Sequence, residues 1–396
     1  MPHLHRLLTA FVIACVTPVA SADPVQFEAH SISEEQSTYQ VRVVDVNVDG
    51  RPDIIAASPQ VDQAGLYWYE NPTWERHLIA SSKDVKNIAL WITQADIEGD
   101  EVPELVVTGG FSPRGVDVSS GEIYYLVHQG DPEQPWTAHQ FDTQKMSHRA
   151  ELADFDGDGT IELVNAPIVN GPATELKYYT GNTPLLWYST DNWQRRVIHE
   201  FTGHVHGMIA TDFDGGGGTD VLTAGLEGIW LHTASPSADG PRWTSELLVP
   251  GIQLENDLDR GASDVRTGRL GNGGLFMIAP EPFHSGNVFL YARDGDGWSR
   301  TRIEDSLTNS HALATGDLNG DGADEIVLGN RTGNMSTYVY YAMDDNGQSW
   351  QRFDLDTGDM GGTDCAIADL NGDGRADIVC GGHFSENIRW YENLGP

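Results

Sequence analysis

Short apolar runs alternate with acidic, glycine-containing turns along the whole chain. The clearest turn spans residues 154–162, with an apolar run before it and another after it. Seven such turns are separated by 51, 58, 58, 57, 48 and 52 residues, and they are anchored at Asp45, Asp96, Asp154, Asp212, Arg269, Asp317 and Asp369. A period of this length predicts a repeat architecture rather than a series of independent domains.

Each repeat contains the pattern of four strands. A strand of small and apolar residues enters the acidic turn, a second apolar strand leaves it, and a third carries aromatic residues, as in residues 66–69. The fourth begins with a tryptophan in six repeats: Trp74, Trp136, Trp193, Trp243, Trp298 and Trp350. Four short antiparallel strands, repeated seven times, predict an all-β fold, a seven-bladed β-propeller that forms one domain over residues 23–396.

The count of fourth strands predicts how the ring closes. The seventh repeat ends after its third strand, whereas residues 27–32 match the pattern of the fourth strand at residues 74–79. We therefore expect the N-terminal strand to complete the last blade. This closure leaves no open sheet edge at the seam.

Composition and charge restrict the partners. The 44 glycines and 19 prolines suit a protein with many tight turns. A formal charge of −36 and a pI near 4.4 argue against a nucleic-acid or anionic-membrane partner, because phosphates would be repelled. The sequence does not predict an oligomeric state.

The first 22 residues have the pattern of a secretion signal. Arg6 precedes an apolar core at residues 7–16, and residues 20–22 form a small-residue cleavage site. We expect a secreted or periplasmic protein, with a lipoprotein tether through Cys15 as the alternative. The apolar run is too short to span a membrane, and no other segment is a candidate.

Only Cys365 and Cys380 remain after cleavage of the signal. The predicted strand pairing places them opposite each other on one hairpin of the last repeat. An oxidising compartment permits a disulfide there. Two buried thiols are the alternative.

Four of the acidic turns have the complete ligand spacing of calcium loops. Oxygen-bearing side chains occupy positions 1, 3 and 5, and an acid occupies position 9. The complete loops are Asp45, Asn47, Asp49 and Asp53; Asp154, Asp156, Asp158 and Glu162; Asp317, Asn319, Asp321 and Glu325; and Asp369, Asn371, Asp373 and Asp377. The turns at Asp96, Asp212 and Arg269 are incomplete.

We expect the complete loops to hold structural Ca²⁺, since clustered carboxylates repel one another without a cation. The alternative is a set of Asx-rich turns without an ion. These repeats resemble the FG-GAP/VCBS repeats of integrin-type propellers.

A second set of polar residues is predicted on the opposite face. Six positions before the seven anchors lie Tyr39, Leu90, His148, His206, Ser263, His311 and Thr363, and the innermost strands that carry them line the channel. The same face should gather His204, Arg149, Asp264, Asp364, Glu281, His284, Arg331 and His383. Histidines at this density can bind a divalent metal or act as general acid and base. The alternative is a polar lining of a wet channel.

Several short sequence segments resemble the propeller domain of aldos-2-ulose dehydratase and its bacterial relatives. The similar segments are residues 148–149, 154–159, 165–167, 261–264, 268–270, 281–282, 311–312, 365–374 and 390–393. The fungal enzymes carry cupin domains after the propeller, whereas this sequence ends with its seventh repeat. We therefore expect any isomerisation step of those domains to be absent.

The resemblance implies elimination of water from a keto-sugar such as 1,5-anhydro-fructose. A divalent metal, Zn²⁺ or Mg²⁺, held by His204, His206 and His311 would polarise the ketone. His148 would remove the α-proton, and Tyr39 or another histidine, with His311 a candidate, would protonate the departing hydroxyl. The sugar would be oriented by Arg149, Asp264 and Glu281, with His284, Arg331, Asp364 and His383 completing its site.

Two other functions fit the same pattern. A polysaccharide lyase would abstract a proton next to a uronate carboxylate, which Arg149 and Arg331 would neutralise, although the acidic chain would repel a polyanion. A non-catalytic, calcium-binding lectin or adhesion propeller would bind sugar without turnover.

Overall fold

The computed structural model describes residues 24–58, 65–85, 90–112, 115–172, 179–238, 240–252 and 260–396. Its strands form seven sheets of four antiparallel strands each. This is the predicted seven-bladed propeller. The predicted signal peptide and Cys15 lie outside the described residues. Within the described residues, no helix is long and apolar enough to cross a membrane.

The strands follow chain order within each blade, from the channel outward. Blades one and two contain β2 (Gln40–Val44), β3 (Asp53–Ser58), β4 (Gly65–Glu70), β5 (Glu75–Ser81), β6 (Trp91–Ala95), β7 (Glu104–Thr108), β8 (Glu122–Val127) and β9 (Thr137–Thr143). Blades three and four contain β10 (Ser147–Ala153), β11 (Glu162–Pro167), β12 (Asn182–Ser189), β13 (Arg195–Thr202), β14 (Val205–Thr211), β15 (Asp220–Gly225), β16 (Gly228–Ser235) and β17 (Arg242–Pro250).

The remaining blades close the ring. Blades five and six contain β18 (Arg266–Arg269), β19 (Leu275–Pro280), β20 (Val288–Asp294), β21 (Gly297–Glu304), β22 (Ser310–Gly316), β23 (Glu325–Asn330), β24 (Ser336–Ala342) and β25 (Trp350–Thr357). Blade seven contains β26 (Gly362–Ala368), β27 (Asp377–Gly382), β28 (Asn387–Asn393) and the N-terminal strand β1 (Phe27–Ser33), which pairs with β28. The predicted closure by the N-terminal strand is confirmed.

Apolar residues of the inner strands form the contacts between blades. At the seam, Val41 and Ile54 of blade one pack in one buried cluster with Val379 and Ile388 of blade seven. These four side chains are at most 1% exposed, because both faces of each sheet are covered by a neighbouring blade. The second strands, such as β3 and β27, are therefore buried at every position rather than at alternate ones.

The two mature cysteines are paired in blade seven. Cys365 of β26 lies directly opposite Cys380 of β27, and a disulfide joins them. The predicted register is confirmed, and of the two states that the sequence left open, the structure contains the disulfide.

The acidic loops use two left-handed positions, the fourth and the sixth. Position 4 has a positive φ in all of the first four loops and again in the last two, and it is glycine except at Val48, whose φ is 57°. A β-branched residue in this region is strained. Adding a Cβ at Gly320, the equivalent position of blade six, would meet no atom within 4 Å, so the cost there lies in the backbone alone.

We expect Val48→Gly to stabilise the protein by about 1 kcal/mol, because relief of the left-handed strain exceeds the entropy that glycine adds to the unfolded chain. Chemical denaturation with calcium present measures the effect. Gly320→Val is the matched reverse change and should destabilise by at least as much. A lower stability for Val48→Gly would contradict this account of the loop.

Candidate active site in the central channel

Three β-bulges direct three histidines into the channel. His148, His206 and His311 are each the residue at which the pairing of an innermost strand with its neighbour skips one position. Thr363 occupies the same place in blade seven. A bulge leaves one residue out of the ladder and re-aims its side chain. The histidines are 1%, 3% and 6% exposed, so the protein shelters them from bulk water.

A fourth histidine joins them from a connecting turn. His284 Nε2 lies 3.2 Å from His206 Nε2, and the His284 ring centroid is 5.3 Å from that of His311. Each of His206, His284 and His311 offers one ring nitrogen within 4.8 Å of the other two. The His148 ring lies beside this group, 4.6 Å from the His206 ring centroid. Three nitrogens at these separations can bind a single divalent ion.

Backbone carbonyls of the next blade orient two of these rings. His206 Nδ1 lies 2.6 Å from the Ser263 carbonyl oxygen, and His311 Nδ1 lies 2.6 Å from that of Thr363. A carbonyl only accepts, so Nδ1 carries the proton and Nε2 presents a lone pair to the channel. This arrangement fixes the tautomer that a metal ligand requires.

The histidines are held in the neutral form. Burial lowers the pKa of His148, His206 and His311 well below the usual value, and Arg149, Arg331 and the neighbouring rings lower it further. Burial and Arg331 lower the pKa of His284 to about 3. Neutral imidazoles are the state that binds a metal or accepts a proton.

Tyr39 connects the proposed base to the three-histidine group. Its hydroxyl lies 3.4 Å from both His148 Nε2 and His311 Nε2. One hydroxyl proton serves one acceptor at a time. If His311 Nε2 binds an ion, the Tyr39 hydroxyl is left to donate to His148.

Aromatic and polar residues form the rim of the site. Phe283 stacks on His284 with ring centroids 4.1 Å apart, and Phe111 contacts His148 at 5.4 Å. His383 packs against Tyr39 and shares a hydrogen bond with the Ser37 hydroxyl. Phe384, 53% exposed, and the partly exposed Arg331 complete this rim. The rim therefore offers an apolar face beside polar groups, as sugar rings require.

A layer of charged residues lies beneath the histidines, on the side of the acidic loops. Arg149 donates to the His206 carbonyl at 2.7 Å, stacks on Trp91 at 3.8 Å and pairs with Asp264 at 3.5 Å. Asp264 also pairs with Arg266 at 2.8 Å. The same layer contains Asp364, whose carboxylate accepts from the Val41 backbone NH. These contacts join neighbouring blades and place Arg149, Asp264 and Asp364 next to the histidine group.

Two further predicted residues, His204 and Glu281, lie apart from the three-histidine group. The His204 side chain packs on Phe283 instead of joining the three-histidine group, because the bulge between Val205 and Gly207 breaks the two-residue alternation on which that prediction relied. Glu281 points toward the outer strands, where its carboxylate accepts from Tyr291 at 2.7 Å and Arg300 at 2.9 Å. His284 takes the place predicted for His204.

Sequence reasoning missed Phe111 and Phe283 altogether and gave His284 only a substrate role. Phe283 precedes His284 in the turn after β19, and His284 adopts a left-handed φ of 52°. A non-glycine residue in this conformation marks an unusual turn. An aromatic residue next to a histidine in a predicted turn is the sequence feature that could have identified Phe283 and His284 as site residues.

The acidic loops bring buried carboxylates together on the other face. In blade three, Asp154, Asp156 and Glu162 each offer one oxygen within 4.8 Å of the others. Glu162 also accepts from the Phe155 NH, a contact that Asp53, Glu325 and Asp377 repeat in their own loops. Burial and the loop aspartates raise the pKa of Glu162 to about 7. Carboxylates crowded in this way fit a hard cation.

The side chains at loop positions 3 and 5 form Asx turns. At position 3, a side-chain oxygen accepts from the backbone NH two residues on, at 2.8–3.2 Å, in Asn47, Asp156, Asn319 and Asn371. At position 5, the same contact is made at 2.8–2.9 Å by Asp49, Asp158, Asp321 and Asp373. These hydrogen bonds are those of the Asx-rich turns that the sequence left as the alternative.

Position 5 departs from the predicted ligand set. Asp158 does not belong to the three-carboxylate group of blade three. Asp49 pairs with Arg51 at 3.1 Å, and Asp373 pairs with Arg375. Side-chain amides donate to two of these carboxylates at 3.2 Å, from Asn319 to Asp321 and from Asn371 to Asp373. Backbone NH groups, arginines and amides thus engage the position 5 carboxylates, which would have to turn from these partners to bind an ion.

An incomplete loop gathers as many oxygens as a complete one. In blade four, Asp212, Asp214 and Asp220 each offer one oxygen within 4.8 Å of the others, although Gly216 stands at position 5. Positions 1, 3 and 9 are therefore sufficient for a three-oxygen group. The sequence pattern gave position 5 more weight than the structure does.

Comparison with known proteins agrees with the fold. Residues 120–294 match the family model of the aldos-2-ulose dehydratase β-propeller domain, and residues 317–380 match that of the FG-GAP-like repeat. No curated protein matches the chain. The first match is to a carbohydrate-related propeller and includes His148, His206 and His284. The chain is a seven-bladed β-propeller with FG-GAP-like repeats, and it resembles the propeller domain of aldos-2-ulose dehydratase.

Proposed function

We propose that this protein is an exported carbohydrate-active lyase that eliminates water from a keto-sugar of the aldos-2-ulose or 1,5-anhydro-fructose type. The observation that carries the proposal is the convergence of His206, His284 and His311, with His148 and Tyr39 beside them. The match of residues 120–294 to the dehydratase propeller supports the same chemistry.

A divalent ion fits the three-histidine group. The donors are three neutral imidazole nitrogens, two of them oriented by backbone carbonyls, which suits Zn²⁺ or a similar metal better than an all-oxygen ion. When bound, such an ion polarises a ketone and stabilises negative charge on its oxygen. Calcium in the acidic loops has a separate, structural role in the proposal.

The chain's own residues then move the protons. His148 Nε2 accepts the proton from the carbon next to the ketone as that C–H bond breaks. The Tyr39 hydroxyl donates its proton to the departing hydroxyl as the C–O bond breaks, which releases water. The 3.4 Å contact between Tyr39 and His148 lets the proton on His148 return to Tyr39, so the enzyme ends as it began.

Metal content combined with turnover tests the proposal. We expect about one zinc or other transition-metal ion per chain after brief dialysis against a weak chelator, and its loss in His206→Ala together with loss of keto-sugar elimination. His77→Ala is the control, because His77 lies on outer strand β5 and pairs with Glu70. Full turnover in metal-free wild-type protein and in His206→Ala would refute the metal-assisted mechanism.

A further inference from the structure

The arginines near the channel differ in how their charge is compensated. Arg42 pairs with Glu151 at 3.0 Å, and Arg149 and Arg266 both pair with Asp264. Arg331 has no ion pair with an acidic residue in the described parts of the chain. Its buried Nε has no hydrogen-bond partner there, and its side chain contacts the Tyr39 hydroxyl and the Phe384 ring, whose centroid is 5.8 Å away.

Three other buried carboxylates already have partners of their own. Asp264 serves Arg149 and Arg266, Asp364 accepts from the Val41 NH, and Glu281 is bonded to Tyr291 and Arg300. A partly buried cation without a counter-charge costs free energy. A chain with a formal charge of −36 has acidic residues in excess, yet none of the described ones forms an ion pair with Arg331. The uncompensated charge fits an anion that arrives with a ligand.

We propose that the substrate carries an ionised carboxylate and that Arg331 binds it, an inference that rests on the proposed lyase function and replaces its neutral sugar with an acidic one. The planar guanidinium suits a carboxylate, which it can bind through two parallel hydrogen bonds. Arg331 follows β23 at the rim, beside Tyr39 and Phe384. A sugar held there by its carboxylate lies across the apolar Phe384 face and places its reacting carbons over His148 and Tyr39.

Two substrates share this chemistry. A free keto-sugar acid would lose a hydroxyl as water, whereas a uronate residue within an oligosaccharide would lose its glycosidic oxygen, protonated by the same Tyr39. In both, the carboxylate on Arg331 is the recognition element.

Binding of matched small sugars tests the carboxylate site without requiring turnover. Ligand-observed NMR titration compares D-glucuronate with D-glucose for wild type, Arg331→Met, Arg331→Lys and Arg302→Met. Arg302 is an exposed arginine paired with Asp305, so its replacement changes the net charge equally. We expect wild type and Arg302→Met to prefer glucuronate roughly 10-fold or more, Arg331→Met to lose the preference and Arg331→Lys to keep part of it. Unchanged melting temperatures establish that the variants fold.

Three results would overturn the carboxylate site: no glucuronate binding to wild type, equal binding of the two sugars, or a preference that survives Arg331→Met. Turnover separates it from the lyase proposal. Arg331-dependent binding without product from 5-keto-gluconate or a uronate oligosaccharide supports the anion site and refutes the lyase. Elimination from 5-keto-gluconate at the same rate in Arg331→Met and wild type supports the lyase and refutes the anion site. Product from only one acidic substrate identifies which of the two is used.

Discussion

Replacing His148 with Gln will reduce keto-sugar elimination roughly 10²–10⁴-fold, the usual contribution of a positioned general base. Glutamine is close to histidine in size but accepts no proton at neutral pH. Tyr39→Phe should give a loss within the same range, because it keeps the ring contacts with His311 and His148, at 5.5 and 6.4 Å, and removes only the hydroxyl. Absorbance of the unsaturated product measures kcat for both variants.

Metal content separates the role of His148 from that of the metal ligands. His148→Gln should retain the bound ion, since His206, His284 and His311 form the three-nitrogen group without it. His30→Gln, on outer strand β1, serves as the surface control. Undiminished turnover in His148→Gln would refute its role as the base. Loss of the metal along with activity would instead make His148 a ligand.

On the proposal that the acidic loops bind Ca²⁺, removing calcium with a selective chelator will lower the melting temperature by roughly 10 °C at pH 8, because several loops would lose their cation at once. Burial, together with the loop aspartates, raises the pKa of Asp53 to about 6, of Glu162 to about 7 and of Glu325 to about 8. In the chelated protein these carboxyls must ionise while buried beside other carboxylates.

The sign of the pH dependence follows from these raised values. Between the ordinary glutamate pKa of 4.5 and the raised value of about 8, the folded protein holds protons that the unfolded chain has released. The stability of the chelated protein is therefore highest at acidic pH and falls as pH rises toward 8. Calcium binds the ionised carboxylates, so its stabilising effect should grow over the same interval.

Thermal melts from pH 5 to 8, with and without calcium, check this expectation. Glu325→Gln removes the carboxyl with the largest of these shifts. We expect this variant to show a flatter pH dependence in chelator and a smaller gain from calcium. Identical melting curves with and without calcium across the range would refute a structural role for the ion.

The sequence predicted the fold because the relevant signals are local and repeated. Each acidic turn lies between two apolar strands, so seven copies establish the blade count without knowledge of any distant contact. The closure of the ring could also be predicted from the sequence, since residues 27–32 carry the pattern of an outer strand that the last repeat lacks. The pairing of β1 with β28 confirms this reasoning.

Only part of the candidate site could be predicted from the sequence. One register of the innermost strands predicted Tyr39, His148, His206 and His311, and the structure brings all four together. The prediction that His204 points the same way as His206, two residues later on the strand, was wrong. A bulge at His206 interrupts the alternation of side chains. His284 reaches the same point from a turn whose left-handed conformation has no repeating signal in the sequence.

By itself, the sequence determined the number of blades, the closure of the ring and the positions of the acidic loops, since these depend on periodic patterns within each repeat. Only the tertiary structure decided which side chains meet. Arg149 and Glu281 are engaged by neighbouring strands, whereas Arg331 lies among the described residues without an acidic partner. Such differences arise because side chains from blades far apart in sequence converge on one channel, and bulges and turns set their directions.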